Sequence, residues 1–282
     1  MAKSRIYPPA DRTKQWWETK FDRVTMPGID KLLLHTTESG KSWPSYTNDG
    51  VSGSNAPTLT YNPWVAAKDR WRQHNFLNRS ARALRDSANT TVRENRDSVV
   101  QVEIVAYCDP KSYKVHGYSV HDMPADAWED LGELLAFLHK EWGVPIVAAG
   151  EWLTYPASGR ADSPIRMSGP EYDRFRGMLG HQHASGNTHG DPGITNAEVD
   201  RMITVAKRLT AKPTTTPPPV GDDDMELTDT LGMNDYQGRP LTVAQALREA
   251  HAVFEMLREG GALNAQLDRI EADTDDGTAG KA

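Results

Sequence analysis

The chain has 282 residues, of which 38% are hydrophobic; this is enough for one large domain with an appendage, or for two domains, with a proper buried core. Its formal charge of −7 is unevenly spread: from Gly221 onward 14 acidic residues face 5 basic ones, which leaves 25 acidic against 27 basic before that point. Such a balance lacks the basic surplus of a nucleic-acid binder, and no run of about 18 apolar residues is present to insert in a membrane.

The N-terminal residues, Met-Ala-Lys-Ser-Arg-Ile-Tyr-Pro-Pro, carry no apolar signal segment, so the expected place of synthesis and residence is a cytoplasm. Residues 1–24 read as an arm whose Trp16, Trp17 and Phe21 pack on the domain or line a groove. The run Lys31-Leu32-Leu33-Leu34-His35 reads as a buried strand with a histidine at its C-terminal end. From Glu38 to Asn62 the composition is that of a long loop, and Trp43 and Tyr46 within it suit a substrate wall. Residues 57–61, ending at Tyr61, and 71–76 form a hairpin-like pair of short strands.

The β-branched stretch 98–107 is the clearest strand. Counting by two places Gln101, Glu103 and Val105 on one face and Val100, Val102, Ile104 and Ala106 on the other. Glu103 then either lies on a solvated face or, in a strand covered on both sides, is a buried carboxylate in need of a reason. Cys108, the only cysteine, excludes an internal disulfide and reads as a small buried side chain. His116 and His121 read as surface residues. A helix follows from Pro124 to Gly143, with Ala127, Leu131, Leu134, Leu135, Leu138 and Trp142 as its core stripe. Residues 144–147 read as a strand, 150–170 as a loop offering Trp152, Tyr155 and Arg166 to a substrate, and 170–179 as a short helix. Thr195-Asn196-Ala197-Glu198 opens the last helix of the domain.

Residues 212–224 are a Thr/Pro/Asp linker, extended because proline fixes φ and denies the chain a donor. Residues 225–282 form a separate acidic unit read as helical, with an apolar stripe (Val243, Ala246, Leu247, Ala250, Phe254, Leu257) too large to stand alone in water. Self-association or binding to a cell wall would cover it.

Between Gly180 and Gly193 three histidines and an aspartate fall in a segment with almost no apolar side chain. Its glycines and proline make it a loop that turns back sharply, able to bring His181 and Asp191 to one cation. His35 at a strand end supplies a third donor, and a three-donor zinc site keeps one position open, as catalytic sites do. His183 reads as a supporting residue.

His35-Thr36-Thr37-Glu38 after an apolar strand, with Gly-His-Gln-His from 180 and His-Gly-Asp-Pro-Gly from 189, resembles the zinc-dependent N-acetylmuramoyl-L-alanine amidases of the amidase-2 and peptidoglycan-recognition type. The likeness is greatest to endolysins of phages that infect actinobacteria, and it runs from about residue 25 to 210. It implies an α/β catalytic domain over 25–211, built on a mixed central sheet of about five or six strands flanked by helices. Zn²⁺ would be the cofactor, held by His35, His181 and Asp191, the last in a slot where relatives use cysteine. Glu103 would be the general base, and His189 would stand where the family often has lysine. The substrate would be bacterial peptidoglycan, contacted by Thr36, Trp43, Tyr61, Arg82 and Trp152. Arg82 lies in a segment where many members carry a histidine that this chain lacks. An endolysin would wait in the host cytoplasm until lysis and then act on the wall. Two other functions stay open: a non-catalytic peptidoglycan-binding protein, and a zinc peptidase cutting the stem peptide, although the HExxH helix is absent.

Overall fold

The computed structural model describes residues 3–17, 24–46, 56–84, 95, 98–185 and 188–211, together with the backbone of 230–234 and 240–242. The chain divides into two compact units, Met1–Lys212 and Pro213–Ala282.

The first unit is built on a five-stranded mixed sheet of β1 (Lys31–Thr36), β2 (Leu59–Tyr61), β3 (Trp71–Gln73), β4 (Val99–Ile104) and β5 (Gly177–Gly180), in the order β3-β2-β4-β1-β5. β1, β2, β4 and β5 run parallel and β3 is antiparallel to β2. β1 is buried along its whole length, which is why its apolar run does not alternate: a central parallel strand is covered on both faces.

Alternate residues of these strands feed two cores. Leu32, Leu34, Leu59, Tyr61, Val100, Val102, Ile104 and Met178 join the larger one, against α2 (Ala125–Trp142) and α4 (Asn196–Thr210). Leu33, Val99 and Leu179 join a smaller one with Tyr172 of α3 (Gly169–Arg174). The expected stripe of α2 is buried, and Gly143 closes the helix in the left-handed conformation. Gly132 lets α4 approach: a Cβ there would lie 2.7 Å from the Met202 carbonyl oxygen. α4 starts with the predicted capping box of Thr195 and Glu198.

The arm lies along the open edge of β3, where Asp11 N–H donates to Trp71 O and Gln73 N–H donates to Asp11 O. It thereby covers an edge that would otherwise offer unpaired backbone groups. Trp16 packs edge-on to Phe76 and Trp17 stacks on His74, so both serve packing; Phe21 lies outside the described residues.

Two expectations need correction. Residues 144–147 are not a strand; Pro145 brings no N–H to a ladder, and only Ala148 forms a bridge, to Met178. Residues 170–179 are not one helix: α3 ends at Arg174 and β5 begins at Gly177, whose φ of 129° suits glycine and whose missing Cβ leaves room for the Val147 carbonyl. β5 then pairs with β1 from Lys31↔Gly177 to Leu34↔Gly180, a tertiary contact that overrides the local preference. Residues 110–116, to which the sequence assigns no element, form a short helix, α1 (Pro110–His116), capped by Asp109 and Gly117.

In the second unit the described backbone consists of two antiparallel strands, β6 (Thr230–Asn234) and β7 (Pro240–Thr242), inside the span expected to be helical. The helix expected after Thr242 and the linker 212–224 lie outside the described residues.

Candidate metal centre and its recess

Register in the sheet brings the first groups together. His35 of β1 pairs with Glu103 of β4, and Glu103 in turn with Thr60 of β2. Facing residues in adjacent parallel strands point to the same side, so these three side chains share the face of the smaller core, at its C-terminal end. β5 ends one residue before His181, which opens a turn of 3₁₀-helix over residues 181–183. The loop then returns so that Gln182 N–H donates to Asp191 O at 2.9 Å, which fixes Asp191 against His181.

His35, His181 and Asp191 are all buried and converge. His35 Nδ1 lies 3.1 Å from His181 Nδ1 and 3.3 Å from Asp191 Oδ2, and His181 Nδ1 lies 3.2 Å from the same Oδ2. Donor atoms placed tetrahedrally at about 2.0–2.1 Å from an ion are about 3.3–3.4 Å apart, so the three atoms mark three corners of such a site. This buried group could hold a metal ion. Burial lowers the His35 pKa, against the pull of Asp191. For Asp191, burial works to raise the pKa, but the charge and hydrogen bonds of His181 and His35 outweigh it and hold the carboxyl well below the usual range. Both shifts favour the forms that bind a cation, neutral imidazole and carboxylate.

The cluster lies at one side of a recess of about 360 Å³, which Thr36, Glu38, Tyr46, Glu103 and His189 also line. Glu103 is half-buried, yet its Oε2 is enclosed and has no hydrogen-bond partner. Burial, then the nearby Asp191 and Glu38, push its pKa well above the ordinary value. Thr36 is buried, with its N–H on Asp191 Oδ2 at 3.3 Å and its hydroxyl on Glu38 Oε1 at 2.9 Å. His189 is exposed at the rim, its ring stacked on His181 at 4.8 Å and its Nδ1 3.9 Å from Asp191 Oδ1. A second recess of about 320 Å³ shares Glu38, His189 and Asp191 and continues toward Asp109 and Tyr155.

Glu38 had no assigned role in the sequence. It organises the wall between the two recesses, accepting the N–H groups of Cys108 at 2.6 Å and Asp109 at 3.2 Å. Cys108 is buried, and burial raises its thiol pKa, as suits the expected packing role. His183 is a supporting residue: Nδ1 accepts the Gly180 N–H at 3.0 Å, Nε2 lies 2.9 Å from Glu151 O, and the ring packs against Trp152.

Four of the five expected substrate contacts lie elsewhere. Tyr61 belongs to the larger core on the opposite face of the sheet, its hydroxyl 2.7 Å from Asp130 Oδ2. Trp152 is buried, with Nε1–H on Ala149 O. Trp43 carries the Arg72 guanidinium on its ring at 3.9 Å. Arg82 lines neither recess, whereas its neighbour Ala83 lines the first. Arg166 turns its guanidinium to the carbonyls of Ala184, Ser158, Arg160 and His189, and so ties down the loop that leads to Asp191 rather than lining either recess. Comparison of the chain with protein-family models, with curated proteins and with solved structures returned no match.

Proposed function

We propose that the chain is a zinc-dependent N-acetylmuramoyl-L-alanine amidase, acting on bacterial peptidoglycan as an endolysin of the kind its motifs resemble. The observation that carries this reading is the juxtaposition of the buried His35–His181–Asp191 cluster with Glu103, whose Oε2 is enclosed and has no hydrogen-bond partner, at one open recess. A zinc ion held there would supply Lewis acidity, lowering the pKa of a bound water toward about 7 and polarising a carbonyl.

The chain's own residues do the rest. His35 and His181 present ring nitrogens and Asp191 a carboxylate oxygen, with Thr36 N–H fixing the carboxylate. Glu103, enclosed and raised in pKa, takes a proton from the attacking water. As oxygen bonds to the lactyl carbonyl carbon and the C–N bond to L-alanine breaks, Glu103 returns that proton to the departing nitrogen. His189, exposed at the rim 3.9 Å from Asp191 Oδ1, would donate to the developing oxyanion.

The test is chemical. Digestion of purified actinobacterial peptidoglycan by the zinc-loaded protein is expected to release new L-alanine amino termini with no new reducing sugars, and Glu103→Gln to abolish them. New amino termini on other stem residues would make the protein a peptidase. Binding without new ends would make it a receptor.

A further inference from the structure

Gln101 stands two residues before Glu103 on β4, on the same face, and is fully buried. Its Oε1 lies 3.2 Å from His35 Nε2, and its Nε2 donates to Asn95 Oδ1 at 3.1 Å. Asn95, also buried, is held by both backbone groups of Leu84. Leu84 N–H donates to Asn95 Oδ1 at 3.0 Å, and Asn95 Nδ2 donates to Leu84 O at 2.6 Å. A backbone N–H only donates and a backbone carbonyl only accepts, so the Asn95 amide has one allowed orientation.

The consequence runs along the row. Asn95 presents an oxygen to Gln101, which must answer with its NH₂ and turn its oxygen to His35. An amide oxygen cannot donate, so His35 Nε2 carries the hydrogen and Nδ1 keeps its lone pair. Nδ1 is the atom that faces His181 and Asp191. Asp191, 3.3 Å from Nδ1, pulls the other way, since its carboxylate would draw a hydrogen onto that nitrogen and block it.

We propose that Asn95 and Gln101 are positioning residues that transmit the orientation of the Leu84 peptide groups to His35 and hold it in the tautomer able to ligate a divalent cation through Nδ1. The inference rests on reading the cluster as a metal centre, and its two readouts separate the claims. Long-range ¹H–¹⁵N correlation on the metal-free protein reports the His35 tautomer, and competition with a chromophoric chelator reports Zn²⁺ affinity.

The wild type is expected to show His35 protonated at Nε2 alone. Gln101→Met, similar in volume but unable to accept, is expected to shift hydrogen to Nδ1 and weaken zinc binding about 10- to 100-fold, the usual effect of losing such a partner. Gln101→Glu keeps an acceptor and is expected to restore the tautomer and most of the affinity. If Gln101→Met does not fold, Asn95→Ala asks the same question one step further out, with the Nδ1–H form again expected to appear. Unchanged tautomer and affinity in a folded Gln101→Met, or in Asn95→Ala in its place, would overturn the proposal. A wild type that binds no zinc while showing the expected tautomer would overturn the metal reading and leave the relay standing.

Discussion

Two pairs of buried histidines in the first unit differ in one respect. His74 and His183 have both ring nitrogens satisfied by the fold: His74 by Gln15 O and the Thr60 hydroxyl, His183 by Gly180 N–H and Glu151 O. His35 and His181 instead turn nitrogens toward each other and toward Asp191. Burial alone therefore does not mark a ligand. What marks one is a lone pair that the protein leaves pointing at another lone pair, an arrangement a cation resolves.

Exchanging roles across that comparison gives the largest expected effect. His181→Ala removes one of three donors and is expected to abolish stoichiometric zinc binding and turnover. His183→Gln should keep zinc affinity within about threefold while costing roughly 1–3 kcal/mol of stability through its lost buried hydrogen bonds. Chelator competition and urea unfolding on both variants measure the contrast. Equal loss of zinc in the two would erase it.

Acid should distinguish the satisfied pair next. Burial lowers the pKa of His74 and of His183 from 6.5 to about 4. Between those values the unfolded chain binds more protons than the folded one, so stability is complete above pH 6.5 and declines as pH falls toward 4. Each residue contributes up to roughly 3 kcal/mol to that decline. Urea midpoints from pH 7 to 4 check it, with His74→Gln expected to flatten the curve.

Glu103 sharpens the other side. Glu103→Gln should reduce turnover at least about 100-fold, the ordinary effect of losing a general base, without changing zinc affinity. In the metal-free protein its raised pKa means the folded state holds the extra proton, so stability falls as pH rises above 4.5, and the Gln variant should lose that slope.

The smallest effect belongs to an exposed histidine. The Glu198 hydrogen bond, 2.8 Å long, raises the His121 pKa against partial burial. Its contribution is full below pH 6.5 and disappears as pH rises through the raised value. Solvent screening keeps it under about 1 kcal/mol. His121→Gln with thermal unfolding at pH 6 and pH 9 tests it.

Much of this was legible in the sequence because the candidate ligands sit where local signals are strong. His35 ends a strongly apolar buried strand, His181 and Asp191 flank a glycine-rich loop, and the period of two set Glu103 off the more apolar face, its role as base coming from the resemblance alone. That same period sets Tyr61 beside Leu59 and against Thr60, and so in the core, at odds with the expected contact to substrate. β5 was missed because Gly177-Met-Leu-Gly180 is too short to declare itself; the open edge of β1 decides its state. Asn95 and Gln101 carry no pattern of their own. Their part depends on which backbone groups happen to face them, which only the tertiary structure sets.

The pairing of His35 with Glu103 is a rung of the sheet. Adjacent strands stand about 4.8 Å apart whatever the connections between them do. The candidate ligand and the proposed base are thus spaced by the hydrogen-bonded interval of the sheet, while the segments that wall the recess are loops, free to lengthen or change residue by residue. For an engineer this makes the domain a cartridge with an exchangeable mouthpiece: on the proposed function, replacing the β1–β2 connection would alter which substrate is admitted and leave His35 and Glu103 at their fixed interval.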